Sequence, residues 1–301
     1  MKDKKVLFFY LFALLPFHLS LSSCVGKGYE LVWSDEFNTN GRLSADWTFE
    51  QGFQRNNELQ WYQPQNAWVE DGCLVIEARR EQVPNPIYRE GSSDWRRNRR
   101  QAEYTSACVT TQGRREFRYG RFEVRAKIPT TSGAWPAIWL LGHLRGGEAN
   151  RWEWPQNGEI DMLEYYIKNG QPSILANVCW GGKEQWMPVW RESVKPFSHF
   201  IAKDSLWAEK FHVWRMDWTP RRIRLYVDDE LLNDIDLRET QNQGFGGNTD
   251  NPFSNSVPSF GHYILLNLAI GSNGGTPDNS QFPLRYLVDY VRVYKKGKSE
   301  E

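Results

Sequence analysis

The chain is 301 residues long, carries 37 Lys and Arg against 37 Asp and Glu, and is 15% aromatic, with 15 Trp. A formal charge of zero argues against nucleic acid as a partner. Beyond a short leader, about 275 residues show alternating runs but no repeat, no low-complexity linker and no long helical periodicity, so one all-β domain accounts for them.

Lys2, Lys4 and Lys5 precede an apolar run over 6–15, and Leu21-Ser22-Ser23-Cys24 follows it. Charge, apolar core and small residues in that order read as a secretory signal over 1–23, and the run is too short to span a membrane. The last four residues resemble a bacterial lipobox. That implies cleavage before Cys24, lipid on its thiol, and a short tether over 24–28 that anchors the protein on an extracytoplasmic membrane face, periplasmic or outer. Without the leader's three Lys and one Asp the mature charge is near minus two. Cys73, Cys108 and Cys179 then remain, an odd number in strand-like runs, and read as buried free thiols.

The domain over 29–297 opens on polar and aromatic blocks, Trp33-Ser34-Asp35-Glu36-Phe37 and Asn56-Asn57-Glu58-Leu59-Gln60. Strands are predicted over 74–78, 121–126, 223–227 and 263–267, and Val227-Asp228-Asp229-Glu230 supplies a turn. Arg96, Arg97, Arg99 and Arg100 sit between Asp94 and Glu103 and read as a solvated loop. The stretches 81–100, 142–155, 182–204 and 239–259 are long for simple connections and are expected to rim a cleft. His143, His199, His212 and His262 show no metal-ligand spacing. On the strand before the acidic one, Trp135, Ala137 and Trp139 share a face.

Glu159-Ile160-Asp161-Met162-Leu163-Glu164-Tyr165-Tyr166 sets three carboxylates in an apolar and aromatic strand, where ionised groups are costly unless a site needs them. Glu159 and Asp161 point the same way, but the odd offset to Glu164 would send it to the other face. One extra residue at Met162-Leu163, a β-bulge, returns Glu164 and Tyr166 to the face of Glu159. The two glutamates are then in effect four positions apart, about 13 Å at the backbone. Inward-leaning carboxyls would approach to roughly 5–6 Å, the interval of a retaining glycosidase. The charge of Asp161 is expected to raise the pKa of whichever neighbour must stay protonated.

Gly158-Glu159-Ile160-Asp161-Met162-Leu163-Glu164, preceded by Gly133-Ala134-Trp135-Pro136-Ala137-Ile138-Trp139, resembles the laminarinase-like branch of glycoside hydrolase family 16 and its Glu-x-Asp-x-x-Glu signature. Further blocks follow in the family's order, among them Tyr119-Gly120-Arg121-Phe122-Glu123 and Asp289-Tyr290-Val291-Arg292. The resemblance implies a two-sheet β-jelly-roll sandwich, concanavalin A-like, with an open cleft on its concave face. It implies Glu159 as nucleophile, Glu164 as general acid/base and Asp161 as the residue that tunes them, with no cofactor for catalysis. Trp135 and Trp139 would contact sugar in the cleft, and Arg55, Asn57 and Glu58 would line subsites on the nonreducing side. Trp154 and Trp180, flanking the catalytic strand and its successor, are added as sugar-binding candidates. A structural calcium on the convex side would map to Glu36, Gly72 and Asp289.

The expected function is retaining endo-hydrolysis of a polysaccharide, first a β-1,3- or mixed β-1,3/1,4-glucan, by a monomer. The alternatives are an endo-β-galactosidase on mucin-type O-glycans or algal galactans, a transglycosylase, and a non-catalytic surface glycan-binding lipoprotein. Cys108 stands where many relatives carry arginine, and 176–180 lacks the histidine common in laminarinases, which leaves substrate less fixed than reaction type.

Overall fold

The computed structural model describes residues 28–145 and 152–297, so Cys24, the leader and nearly all of the tether lie outside the described residues. Sixteen strands build the two main sheets. The first eight are β1 (Tyr29–Asp35), β2 (Thr48–Phe49), β3 (Ala67–Glu70), β4 (Cys73–Ala78), β5 (Cys108–Thr110), β6 (Gly120–Lys127), β7 (Ala134–Leu144) and β8 (Glu159–Lys168). The second eight are β9 (Gln171–Gly181), β10 (Pro188–Arg191), β11 (Val194–Pro196), β12 (His212–Trp218), β13 (Arg222–Val227), β14 (Glu230–Asp236), β15 (Phe260–Ile270) and β16 (Leu284–Lys296).

The back sheet runs β14-β13-β12-β6-β16-β4-β3, with β1 also on β16. The front sheet runs β10-β9-β8-β7-β15-β5-β2, with β11 also on β9. This is the expected jelly-roll sandwich, and each predicted strand falls inside an observed one. Asp228 and Asp229 both take positive φ, +45° and +68°, giving the primed two-residue turn that suits the twist of a hairpin. The stretch 182–204 is not one long loop: it contains β10, β11 and a single helical turn, Ser198–Ile201. No helix among the described residues is long and apolar enough to cross a membrane.

Burial explains the layers. β6 and β12 alternate between buried and half-buried positions, because one face packs inward while the other meets water. β15 is buried along its whole length and β7 along most of its own. Their inward residues join one core in which Ile138, Leu140, Ile160, Met162 and Leu163 cluster with Val124, Trp214, Met216 and Val293. Their outward residues form two aromatic-capped clusters, one with Tyr62, Trp139, Tyr263 and Leu265 and the other with Trp135, Tyr166, Leu175 and Ala269. That outward face is the floor of the site.

Candidate active site

β8 lies between β7 and β9, and its pairing slips to both neighbours at one place. Asp161 opposes Asn177 and Glu164 opposes Leu175, so Met162 and Leu163 together face Ala176. Toward β7, Asp161 pairs with Trp139 and Leu163 with Ile138, leaving Met162 as the extra residue. Both side chains go into the sandwich core, at 2% and 0% exposure, and their burial holds the bulge. The result puts Glu159, Asp161, Glu164 and Tyr166 on one wall of a cavity of about 610 Å³.

Each glutamate receives an indole N–H. Trp154 Nε1 donates to Glu159 Oε2 at 2.9 Å, and Trp135 Nε1 donates to Glu164 Oε1 at 3.0 Å. Asn177 Nδ2 lies 3.4 Å from Glu164 Oε2, and its own Oδ1 accepts from the backbone N–H of Ser193 at 3.2 Å. Burial pushes the Glu159 carboxyl up to about 7, while the Trp154 bond, the Arg55 charge and a hydrogen bond from Asp161 hold it down. Burial likewise pushes Glu164 up, to about 8, and here the charge of Glu159 adds to the rise. Glu164 is therefore the better proton carrier and Glu159 the easier carboxylate.

Asp161 differs from expectation. At 1% exposure, its own pKa is raised by desolvation and by the charges of the flanking glutamates, and its interaction with Glu159 holds the Glu159 carboxyl down. The negative charge that raises Glu164 comes from Glu159 and not from Asp161.

Around this trio, Trp139 Nε1 donates to Asn267 Oδ1 at 2.7 Å, and the Arg55 guanidinium lies 5.0 Å over the Trp139 ring while pairing with Glu50. Burial raises the carboxyl of Glu58, which is 2% exposed and accepts from Gln60 at 2.7 Å and Asn56 at 3.3 Å. Arg55, Glu58, Trp135, Trp139 and Trp154 all line the cavity. Asn57 does not: it sits exposed in a turn at φ +52°, and its carbonyl accepts from Arg99 at 3.1 Å. The neighbouring Gln54 and Asn56 face the cavity in its place.

Trp180 is a correction. Cys179 opposes Glu159 across the β8–β9 ladder, so the alternation turns Trp180 away from the cleft and into the sandwich core at 5% exposure. Tyr166 lines the cavity on the face that the bulge was expected to give it, whereas Trp186, Trp190 and Asn267 were passed over as lining residues. Asn267 could have been placed by alternation, because it pairs with Ala137, which opposes Glu164 on the other side.

Glu36, Gly72 and Asp289 do not fit a calcium ion. Arg292 grips Glu36 through two bonds of 2.9 and 2.7 Å, and Arg125 binds Asp289 at 2.6 Å. Hard cations need uncompensated oxygens. Gly72, at φ +76°, completes the tight turn between β3 and β4. Among the described residues no group of three or more His, Cys, Asp or Glu could hold a metal.

A bulged strand presenting two indole-bound glutamates to an aromatic trough on a β-sandwich defines an O-glycosyl hydrolase. The family model of glycosyl hydrolases family 16 matches residues 53–255, and the chain belongs to that family. It is 33% identical over 287 residues to the beta-glucanase of Rhodothermus marinus, covering 89% of this chain and 85% of that protein. It is 32% identical over 285 residues to glucan endo-1,3-beta-glucosidase A1 of Niallia circulans, covering 89% of this chain but only 38% of that longer protein. A solved structure reported with endo-acting O-glycanases that human gut microbiota express to initiate mucin breakdown matches with a TM-score of 0.76 at 36% identity, covering 90% of this chain and 92% of that one.

Proposed function

We propose that the protein is a retaining endo-β-glycosidase in which Glu159 attacks the anomeric carbon while Glu164 gives its proton to the departing sugar oxygen. The ionised Glu164 then takes a proton from water, and the hydroxide equivalent releases the sugar from Glu159 with its configuration kept. The observation that carries this reading is the bulge at Met162 and Leu163, which brings both glutamates to one wall with Asp161 between them. No metal or organic cofactor has a part in these steps. Arg55 and Glu58 would hold the nonreducing side of the chain, with the Trp139 ring beside them.

The first substrate is an internal β-1,3 or mixed β-1,3/1,4 bond of a glucan, the reading supported by the beta-glucanase and endo-1,3-beta-glucosidase relatives. A second reading, endo-cleavage of mucin-type O-glycans, is favoured by the 36% identity and TM-score of 0.76 to the O-glycanase structure. Incubation with laminarin, lichenan and gastric mucin, followed by product sizing and proton NMR of the first-formed anomer, tests both. Internal fragments of β configuration are expected. Products that appear first as the α anomer would overturn retention, and release from mucin with none from either glucan would select the second reading. The protein is further proposed to be a monomeric, extracytoplasmic lipoprotein held through Cys24; incorporation of a clickable palmitate analogue that survives Cys24→Ser would refute that anchor.

A further inference from the structure

The trough does not end at the catalytic strand. Between β9 and β10 the chain turns tightly, with Gly182 N–H donating to the Met187 carbonyl at 2.7 Å and Met187 N–H to the Glu184 carbonyl at 3.3 Å. A Cβ at position 182 would lie 2.7 Å from that Met187 oxygen, so the turn needs glycine there. One consequence is that Trp186 takes φ +61°, a conformation that costs a bulky residue energy.

Burial of the ring does little to offset that cost. Trp186 is 56% exposed and Trp190 on β10 is 38% exposed. Neither ring has an aromatic partner, and neither indole N–H has an acceptor among the described residues. Trp135, Trp139 and Trp154, by contrast, all spend their N–H groups within the site.

Both exposed rings line the same cavity as Glu159 and Glu164, but on the flank opposite Arg55. Outward from β8 the front sheet continues through β9 to β10, which carries Trp190. In the other direction it passes β7 and β15 to β5, where the Glu50 N–H donates to the Cys108 carbonyl at 3.1 Å and brings in the Arg55 segment. A glycan laid across the strands meets Arg55 on one side of the cleaved bond and the two tryptophans on the other.

We propose that Trp186 and Trp190 form a stacking platform for the sugars of the departing, reducing-end portion of the substrate, and so set how strongly the enzyme prefers a polymer to a short glycoside. Flat rings exposed at a trough rim match the apolar faces of pyranose rings, and the free indole N–H groups can donate to hydroxyls. The assignment of sides rests on the proposed endo-glycosidase reading, with Arg55 on the nonreducing side.

The test uses Trp186→Ala, Trp190→Ala, the double variant and the matching Phe variants of the full chain. Two readouts are taken. The first is the ratio of kcat/KM on the cleaved polysaccharide to kcat/KM on an aryl β-glycoside, whose leaving group is a nitrophenol and not a sugar. Alanine is expected to lower that ratio about tenfold, mainly through KM on the polymer, and phenylalanine to restore most of it. An equal loss on both substrates, or no change in the ratio, overturns the platform. The second is retardation in native gels containing laminarin, lichenan or gastric mucin, in a Glu159→Gln background that cannot turn over. Retardation lost in the alanine variants and regained with phenylalanine supports the platform even if the wild type releases no new reducing ends, an outcome that sinks the proposed activity alone. Equal mobility of parent and alanine variants in all three gels overturns it.

Discussion

Trp135 and Trp154 stand behind Glu164 and Glu159 as donors, and each acts on a different limb of the pH profile of the proposed reaction. Each N–H stabilises the ionised form of its glutamate, so removing it raises that pKa. Trp135→Phe is expected to move the alkaline limb of kcat/KM, set by loss of the Glu164 proton, upward by about one pH unit while the acid limb stays. Trp154→Phe is expected to move the acid limb, set by Glu159, in the same direction and leave the alkaline limb. A Trp135→Phe profile displaced at its acid side would assign the proton to the wrong glutamate. The pair also affects stability. Both carboxyls sit above their free value of 4.5 in the fold, so their contribution is whole below that pH and is lost as pH climbs through 7 to 8. Glu164→Gln is therefore expected to lose most turnover yet to melt about 2–4 °C higher at pH 8, with the difference fading by pH 4, as differential scanning calorimetry would record.

At the level of single strands, β8 depends on the residue before it. Gly158 holds φ +77°, and a Cβ there would meet Pro252 at 2.7 Å and Phe253 at 2.9 Å. Gly158→Ala is expected to cost about 1–3 kcal/mol in urea denaturation and to lower kcat at least tenfold through displacement of the adjacent Glu159. Wild-type kcat in a folded Gly158→Ala variant would mean that the start of β8 is more tolerant than its packing implies. The bulge was legible in the sequence because two adjacent apolar residues interrupted an otherwise period-two run, and only a slip could reunite the glutamates. Trp180 was misread although a signal was present. Asn169 and Gly170 both take positive φ, and Lys168 pairs with Gln171 across them, so an Asn-Gly two-residue turn sets the β8–β9 register. Counting back from that turn, with one residue for the bulge, puts Cys179 beside Glu159 and sends Trp180 inward. The ion pairs of Glu36 with Arg292 and Asp289 with Arg125 had no comparable local signal, since they depend on packing and on registers between strands distant in sequence. Trp186 and Trp190 lie in a stretch read as a loop at the rim of the cleft, where a four-residue strand is too short to announce itself by alternation.

Across the whole molecule, the sandwich core contains one group that opposes the glutamates in its response to acid. His262 is fully buried among Trp218, Phe253 and Phe260, with ring centroids at 5.0, 5.8 and 5.5 Å, and neither ring nitrogen has a partner. Burial, helped by the Arg118 charge, pushes its pKa down to about 3. Below pH 6.5 the unfolded chain takes a proton that the fold refuses, so stability from this residue falls as pH drops toward 3. Between pH 6.5 and 4.5 that loss runs against the gain from Glu159 and Glu164. His262→Phe keeps an aromatic ring in the box and is expected to widen its Tm advantage over wild type by several degrees between pH 7.5 and pH 5. A constant gap across that interval would mean that the imidazole is protonated in place.

Both glutamates proposed to react ride on a single ribbon, anchored by two side chains pressed into the interior. Their spacing is therefore a property of covalent connectivity and one local kink, with no hinge or closing lobe between Glu159 and Glu164 on that strand. Breathing of the two layers against each other carries the pair along together, so heating can loosen the rims and alter which glycans fit long before it spoils the chemistry itself.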